Sequence, residues 1–145
     1  MATKTTLPKL EDIRRSWYVV DAAGKPLGRM AVKVANLLRG RHKTIYTPHI
    51  DTGDFVIVTN ARDVKLTGAK DTKKIYKRYT GYRSGNKDAT AAMVRERHPE
   101  RLIEHAVKGM LPRNTLSRTV IKRLKVYAGA EHPHAAQAPQ TIKID

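Results

Sequence analysis

The sequence predicts an α/β domain of three layers, α/β/α, built around a small and mostly parallel sheet. A short aromatic and β-branched run, Trp17 to Val20, precedes an amphipathic helical pattern, which leads to Phe55-Val56-Ile57-Val58-Thr59. That second run is apolar on both faces, so it has to be covered on both, as the strands of parallel sheets are. The chain has 145 residues, 40% of them hydrophobic, with no internal repeat and no linker long enough to separate two units. Those proportions fit a single domain, residues 1–145, with a real core.

Residues 1–16 mix Lys, Thr, Pro and charged groups without apolar periodicity and predict an extended N-terminal arm. Trp17 to Val20 predicts a strand ending at Asp21, with Gly24-Lys25-Pro26 as the turn behind it. Leu27, Met30, Ala31, Val34, Leu37 and Leu38 then form one helical face, and Gly40 is placed to stop the helix. Residues 41–54, rich in His, Thr, Pro and Gly, form a loop leading into the buried strand. Val64, Leu66 and Ile75 to Tyr79 predict further extended structure, followed by the glycine-bearing basic loop 81–86.

From Ala89 the pattern becomes helical, with Met93 and Val94 on one side, until Pro99 interrupts it and opens a fresh helix. This next helix buries Leu102, Ile103, Ala106 and Val107 and ends near Gly109. A third runs from the N-cap Asn114 to about Leu124, and residues 125–128 predict a short strand. Residues 129–145, rich in Pro, His, Ala and Gln, read as an extended C-terminal tail, the two termini being the segments ordered by a partner.

Charge narrows the function. The chain carries 29 Lys+Arg against 13 Asp+Glu, a formal net charge of +16, well beyond what solubility requires. A polyanionic partner follows, with nucleic acid ahead of an anionic membrane because each neutralised phosphate releases counterions. No apolar run approaches the roughly 20 residues of a spanning helix, and the first residues lack a secretory pattern, so the expectation is a soluble, cytoplasmic protein with no membrane association. The absence of cysteine excludes disulfides and thiolate metal sites.

The candidate binding residues are basic clusters interleaved with aromatic and apolar positions. Arg39, Arg41, His42 and Lys43, with His49, lie in and before the first long loop. Lys73, Lys74, Lys77 and Arg78 alternate with Ile75, Tyr76 and Tyr79, and Tyr82, Arg83 and Lys87 occupy the loop beyond. Lys108, Arg113, Arg118, Lys122 and Arg123 stand among Leu116, Val120, Ile121 and Leu124, which supply the packing face. Basic side chains beside stacking rings on several loops suit a folded RNA that wraps the domain.

Other chemistries find less support. Gly24 and Gly28 resemble the turn of a phosphate-binding unit, but neither G-x-G-x-x-G nor a P-loop is present. A plain strand-to-helix turn is favoured there, with a ribose-phosphate contact as the alternative, and a nucleotide-dependent RNA-modifying enzyme lacks its fingerprint. Asp51-Thr52-Gly53-Asp54 offers two carboxylates without catalytic partners, which read as turn residues with local hydrogen bonds. His132-Pro133-His134 has no thiol and no acidic cluster beyond Glu131, so RNA contact by His132 and His134 is expected over metal. No cofactor and no metal are expected.

Several blocks also carry a resemblance: Trp17-Tyr18-Val19-Val20-Asp21 with Leu27-Gly28-Arg29, Tyr46-Thr47-Pro48-His49 with Asp51-Thr52-Gly53-Asp54, and Lys65-Leu66-Thr67-Gly68. Tyr79-Thr80-Gly81-Tyr82, Val107-Lys108-Gly109-Met110-Leu111-Pro112, Leu124 to Gly129 and the His132-Pro133-His134 run continue it. In this order, and over nearly the whole length, the chain resembles bacterial large-subunit ribosomal proteins of the L13 family. The resemblance implies a non-enzymatic protein that binds large-subunit rRNA (23S class) early in subunit assembly. Neighbouring large-subunit proteins would be partners, messenger RNA a possible second target of the same surface, and the chain would act as a single copy, not a homo-oligomer.

Overall fold

Apolar spacing and turn chemistry set the first βαβ unit where the sequence predicts it. In the computed structural model, which describes residues 7–144, strand β1 (Trp17–Asp21) is followed by helix α1 (Leu27–Arg39) and strand β2 (Phe55–Thr59). Residues 1–6 of the predicted arm, and Asp145, lie outside the described residues. Strands β1 and β2 pair in parallel, Trp17 opposite Phe55 and Asp21 opposite Thr59. Helix α1 buries Leu27, Met30, Ala31, Val34, Ala35 and Leu38, one stripe at helical spacing. Full burial of a Leu, Val or Met side chain stabilises by about 1.5–3 kcal/mol, so this stripe holds the helix on the sheet.

Two glycines close the unit. Gly40 ends α1 in the left-handed region, φ 74°, with its N–H bonded back to the last turn. Gly53 lies against the Leu38 carbonyl so closely that a Cβ would overlap it. That approach lets the Asp54 N–H reach the Leu37 carbonyl at 3.3 Å and feeds the chain into β2. Val56, Ile57 and Val58 are fully buried, as a strand apolar on both faces requires.

After β2 the chain forms an extended segment around Lys65, bridged to Pro26, with Val64 and Leu66 buried. A four-residue helix α2 (Lys70–Lys73) leads to strand β3 (Ile75–Tyr79) and strand β4 (Asn86–Thr90), an antiparallel hairpin separate from the main sheet. Strand β4 occupies residues the sequence assigns to loop and helix start. Its Asn-Lys-Asp-Ala-Thr run has no apolar alternation, and pairing with β3 alone makes it a strand. Helices α3 (Ala91–Arg97), capped by the Thr90 hydroxyl, and α4 (Glu100–Met110) follow, α4 burying Leu102, Ile103 and Val107.

Helix α5 (Thr115–Val120) begins at its Asn114 cap, whose side chain accepts from the Ser117 N–H. It is a turn shorter than the sequence predicts. Residues 121–123 tighten into a 3-10 turn, and Leu124 opens strand β5 (Leu124–Val126) because parallel pairing with Val56 outweighs its helical spacing.

The larger correction concerns the C-terminal tail. Residues 129–144 return across the domain and add strand β6 (Gln140–Ile142) to the free edge of β1, giving the parallel order β5-β2-β1-β6. Ile144 is only 3% exposed and joins the core. The segment is therefore packed by the domain itself, and its only Lys or Arg is Lys143, so the expected extended basic tail is a docked, weakly charged one.

Helices α1 and α4 adjoin each other, as right-handed crossovers stepping in one direction across a sheet require. They cover the face bearing Val20, Val56 and Val58. The opposite face carries Trp17 and Phe55, stacked at 4.3 Å, with the His134 ring of the returning segment 5.1 Å from Trp17.

Candidate nucleic-acid interface

The loop between α1 and β2 uses its charges in two ways. Lys43 points inward and donates to the Arg14 carbonyl (2.8 Å), the Thr52 carbonyl (3.0 Å) and Asp54 Oδ1 (2.6 Å). Asp54 is fully buried, accepts the Ser16 N–H at 2.8 Å and faces His42 Nε2 at 3.0 Å. Arg39 donates to the Tyr46 hydroxyl at 2.8 Å. Arg41 and His49 remain exposed on the loop surface.

The second carboxylate of the Asp51–Asp54 pair has partners too. Arg123 Nη1 donates to Asp51 Oδ1 (2.8 Å) and to the Gly53 carbonyl (3.1 Å), its Nη2 pairs with Asp51 Oδ2, and its guanidinium lies over the Phe55 ring. The two aspartates, Asp54 buried and Asp51 half-buried, thus act as anchors for Lys43 and His42 and for Arg123. The sequence reading of local turn bonds covers only the Asp51–Gly53 contact of 3.3 Å. Lys43 and Arg123, expected on the binding surface, are engaged inside the protein.

His132 and His134 are half-buried and bonded within the protein. The Tyr127 hydroxyl lies 2.9 Å from His134 Nε2, and His132 Nδ1 accepts the His134 N–H at 3.2 Å. These contacts pin the returning segment over Trp17. Among the described residues, no group of three or more His, Cys, Asp or Glu side chains could hold a metal ion.

The hairpin displays its cations outward. Lys73, Lys74, Lys77, Arg78, Arg83 and Lys87 are all exposed, and Tyr82 at the tip is 79% exposed. Tyr76, with Ala89 opposite, turns in, its ring edge-on to His105 at 5.5 Å and under the Lys74 ammonium at 5.1 Å. In the register Lys77 faces Asp88, a favourable cross-strand pair, whereas Arg78 faces Lys87. Like charges directly opposite destabilise a bare hairpin and favour an anion beside it.

Two clefts flank the last turns of α4. One, of about 700 Å³, is lined by His105, Lys108, Arg113, Asn114 and Arg118, with Gly109 and Pro112. The other, of about 1130 Å³, gathers Arg29, Lys65, Lys70, Lys73 and Lys74 between the start of α1 and α2, against Ala106 and Met110. Among the described residues, no acidic side chain lines either cleft. Lys108, Arg113, Arg118 and Lys122 are exposed and, among the described residues, in no ion pair. No sequence pattern singles out His105, Arg29, Lys65 and Lys70; the Lys65-Leu66-Thr67-Gly68 block and the Gly24–Gly28 turn mark their neighbourhood without showing that they meet.

Elsewhere the carboxylate of Asp21 is structural. The Ala23 N–H and then the Asn60 side-chain amide, both donating to it, hold its pKa below the usual value. No helix among the described residues is long and apolar enough to cross a membrane.

Fold and surface define a basic α/β domain whose exposed charge is gathered on loops, a hairpin and two clefts lined by cations, a surface that suits a polyanion. The model of the family Ribosomal protein L13 matches residues 15–133. The large ribosomal subunit protein uL13 of Dictyoglomus thermophilum is 57% identical over 141 residues, covering 97% of this chain and 99% of that protein. Those of Thermosynechococcus vestitus and Alcanivorax borkumensis are each 55% identical, over 98% and 97% of this chain and 93% and 99% of theirs. The chain belongs to the ribosomal protein L13 family.

Proposed function

We propose that this chain is a structural constituent of the large ribosomal subunit in the cytoplasm, where it binds large-subunit rRNA, supports early assembly and meets neighbouring subunit proteins. The observation that carries this reading is the separation of its charges. Lys43 and Arg123 are engaged by the buried Asp54 and the half-buried Asp51, while the cations of the hairpin, α4 and α5 face outward. Phosphate contacts from Arg41, Lys73, Lys77, Arg78, Arg83, Lys87, Lys108, Arg113, Arg118 and Lys122 would position the domain. Tyr82 and His49 would contact unstacked bases or ribose hydroxyls. The test is sedimentation of lysate from cells producing a tagged chain at native level. The tagged chain should comigrate with large subunits and their early precursors; recovery only in the ribosome-free fractions would refute the assignment.

A further inference from the structure

The chain's glycines divide by the reason each is there. Gly24, Gly40, Gly68 and Gly81 take left-handed φ, and Gly53 and Gly85 have no room for a side chain. Gly129 lies in an exposed loop. Gly28, in α1, and Gly109, in α4, have neither reason: their φ is ordinary, and a Cβ would meet nothing within 4 Å. Glycine is a poor helix former, so at these two sites the fold itself would be better served by alanine. Each faces one of the acid-free clefts, Gly28 the one with Arg29 and Lys65, Gly109 the one with Lys108 and Arg113.

The last two turns of α4 form the wall between those clefts. Ala106 and Met110 line one, His105, Lys108 and Gly109 the other. A ligand that fills both has to cross this ridge, and the crossing surface offers no charged side chain at Gly109. Resting on the RNA-binding reading above, we propose that the RNA sugar–phosphate backbone lies in both clefts and straddles the end of α4. It touches the helix at Gly109 in a contact that a side chain there would block, and Gly28 permits the same close approach at α1. Acid-free lining with cations on both sides selects a polyanion over a protein surface of mixed charge.

The measurement is binding of the full-length chain to a large-subunit rRNA transcript over a range of salt, with thermal unfolding of each free protein. Gly109→Gln should bind about tenfold more weakly at every salt concentration, a steric loss. Its log–log salt slope should match that of the unsubstituted chain, and its thermal midpoint should be equal or higher. Gly28→Gln should behave likewise. Lys108→Gln should instead flatten the slope, and Ala92→Gln, on the exposed face of α3, should change nothing. Unchanged binding by Gly109→Gln, or a lowered thermal midpoint that reveals an internal role for the glycine, would overturn the inference. If the unsubstituted chain itself shows no salt-dependent binding, the RNA-binding reading falls and the inference with it.

Discussion

Arg123 and Asp51 stand 72 residues apart in the chain and are joined through both terminal guanidinium nitrogens, with side-chain exposures of 11% and 17%. The pair ties the end of the α5 segment to the loop that enters β2. Removing Arg123 leaves the half-buried Asp51 with the longer contact to Arg15 at 3.8 Å, so Arg123→Gln should lower unfolding free energy by about 2 kcal/mol. Arg118→Gln, at an exposed and unpaired position, should stay within about 0.5 kcal/mol of the original. Chemical denaturation of the two variants decides it, and equal losses would contradict the division into internal and outward-facing cations.

The returning segment is held by His134 against Trp17 and Tyr127. Amides of β6 should therefore be protected from hydrogen exchange in the free protein, beside those of Val56 to Val58, while the hairpin tip near Gly81 to Lys87 exchanges fast. Tyr127→Phe removes one hydrogen bond and should cost about 1 kcal/mol. His134→Ala should release β6 exchange and alter the fluorescence of Trp17, the only tryptophan. Fast exchange at residues 140–142 in the unsubstituted protein would show that the segment gains its order from a partner after all.

Asp21 supplies a pH test. Its pKa is lowered from 3.8 by the Ala23 N–H and Asn60 amide bonds, so the folded state favours the carboxylate. A depressed carboxylate contributes stability above its unfolded pKa and loses it as pH falls through the folded one. Asp21→Asn should therefore be less stable than the original at neutral pH, with the gap closing below the ordinary aspartate range. Because Asp21 is exposed, solvent screening keeps that gap small. A gap that widens on acidification would reverse the assigned sign.

The elements legible in the sequence are those whose own pattern suffices. Helix α1 announces itself by six apolar positions on one stripe and a glycine stop, and β2 by apolar residues on both faces. Strands β4 and β6 are illegible because docking creates them: Asn86–Thr90 has no apolar residue but Ala89, and Gln140–Ile142 is a three-residue run directly behind a proline. The apolar spacing overextends helix α5 because Leu124 satisfies helical spacing and strand pairing alike.

Of the binding surface, the basic clusters were legible as composition, but their orientation was not. Nothing local marks Lys43 as inward and Arg41 as outward, since the difference is a buried Asp54 eleven residues from Lys43. Nor does spacing along the chain reveal that Arg29 and Lys70 share a cleft.

The central claim is that outward cations bind RNA phosphates, and salt dependence tests it most directly. Affinity for large-subunit rRNA should fall steeply as salt rises, and a triple Lys108→Gln, Arg113→Gln, Arg118→Gln variant should lose about 0.7 to 0.9 of log–log slope for each phosphate contact removed. Arg123→Gln, measured where it remains folded, should keep the original slope. A flat salt response for the unsubstituted chain, or a triple variant whose slope is unchanged, would contradict the account.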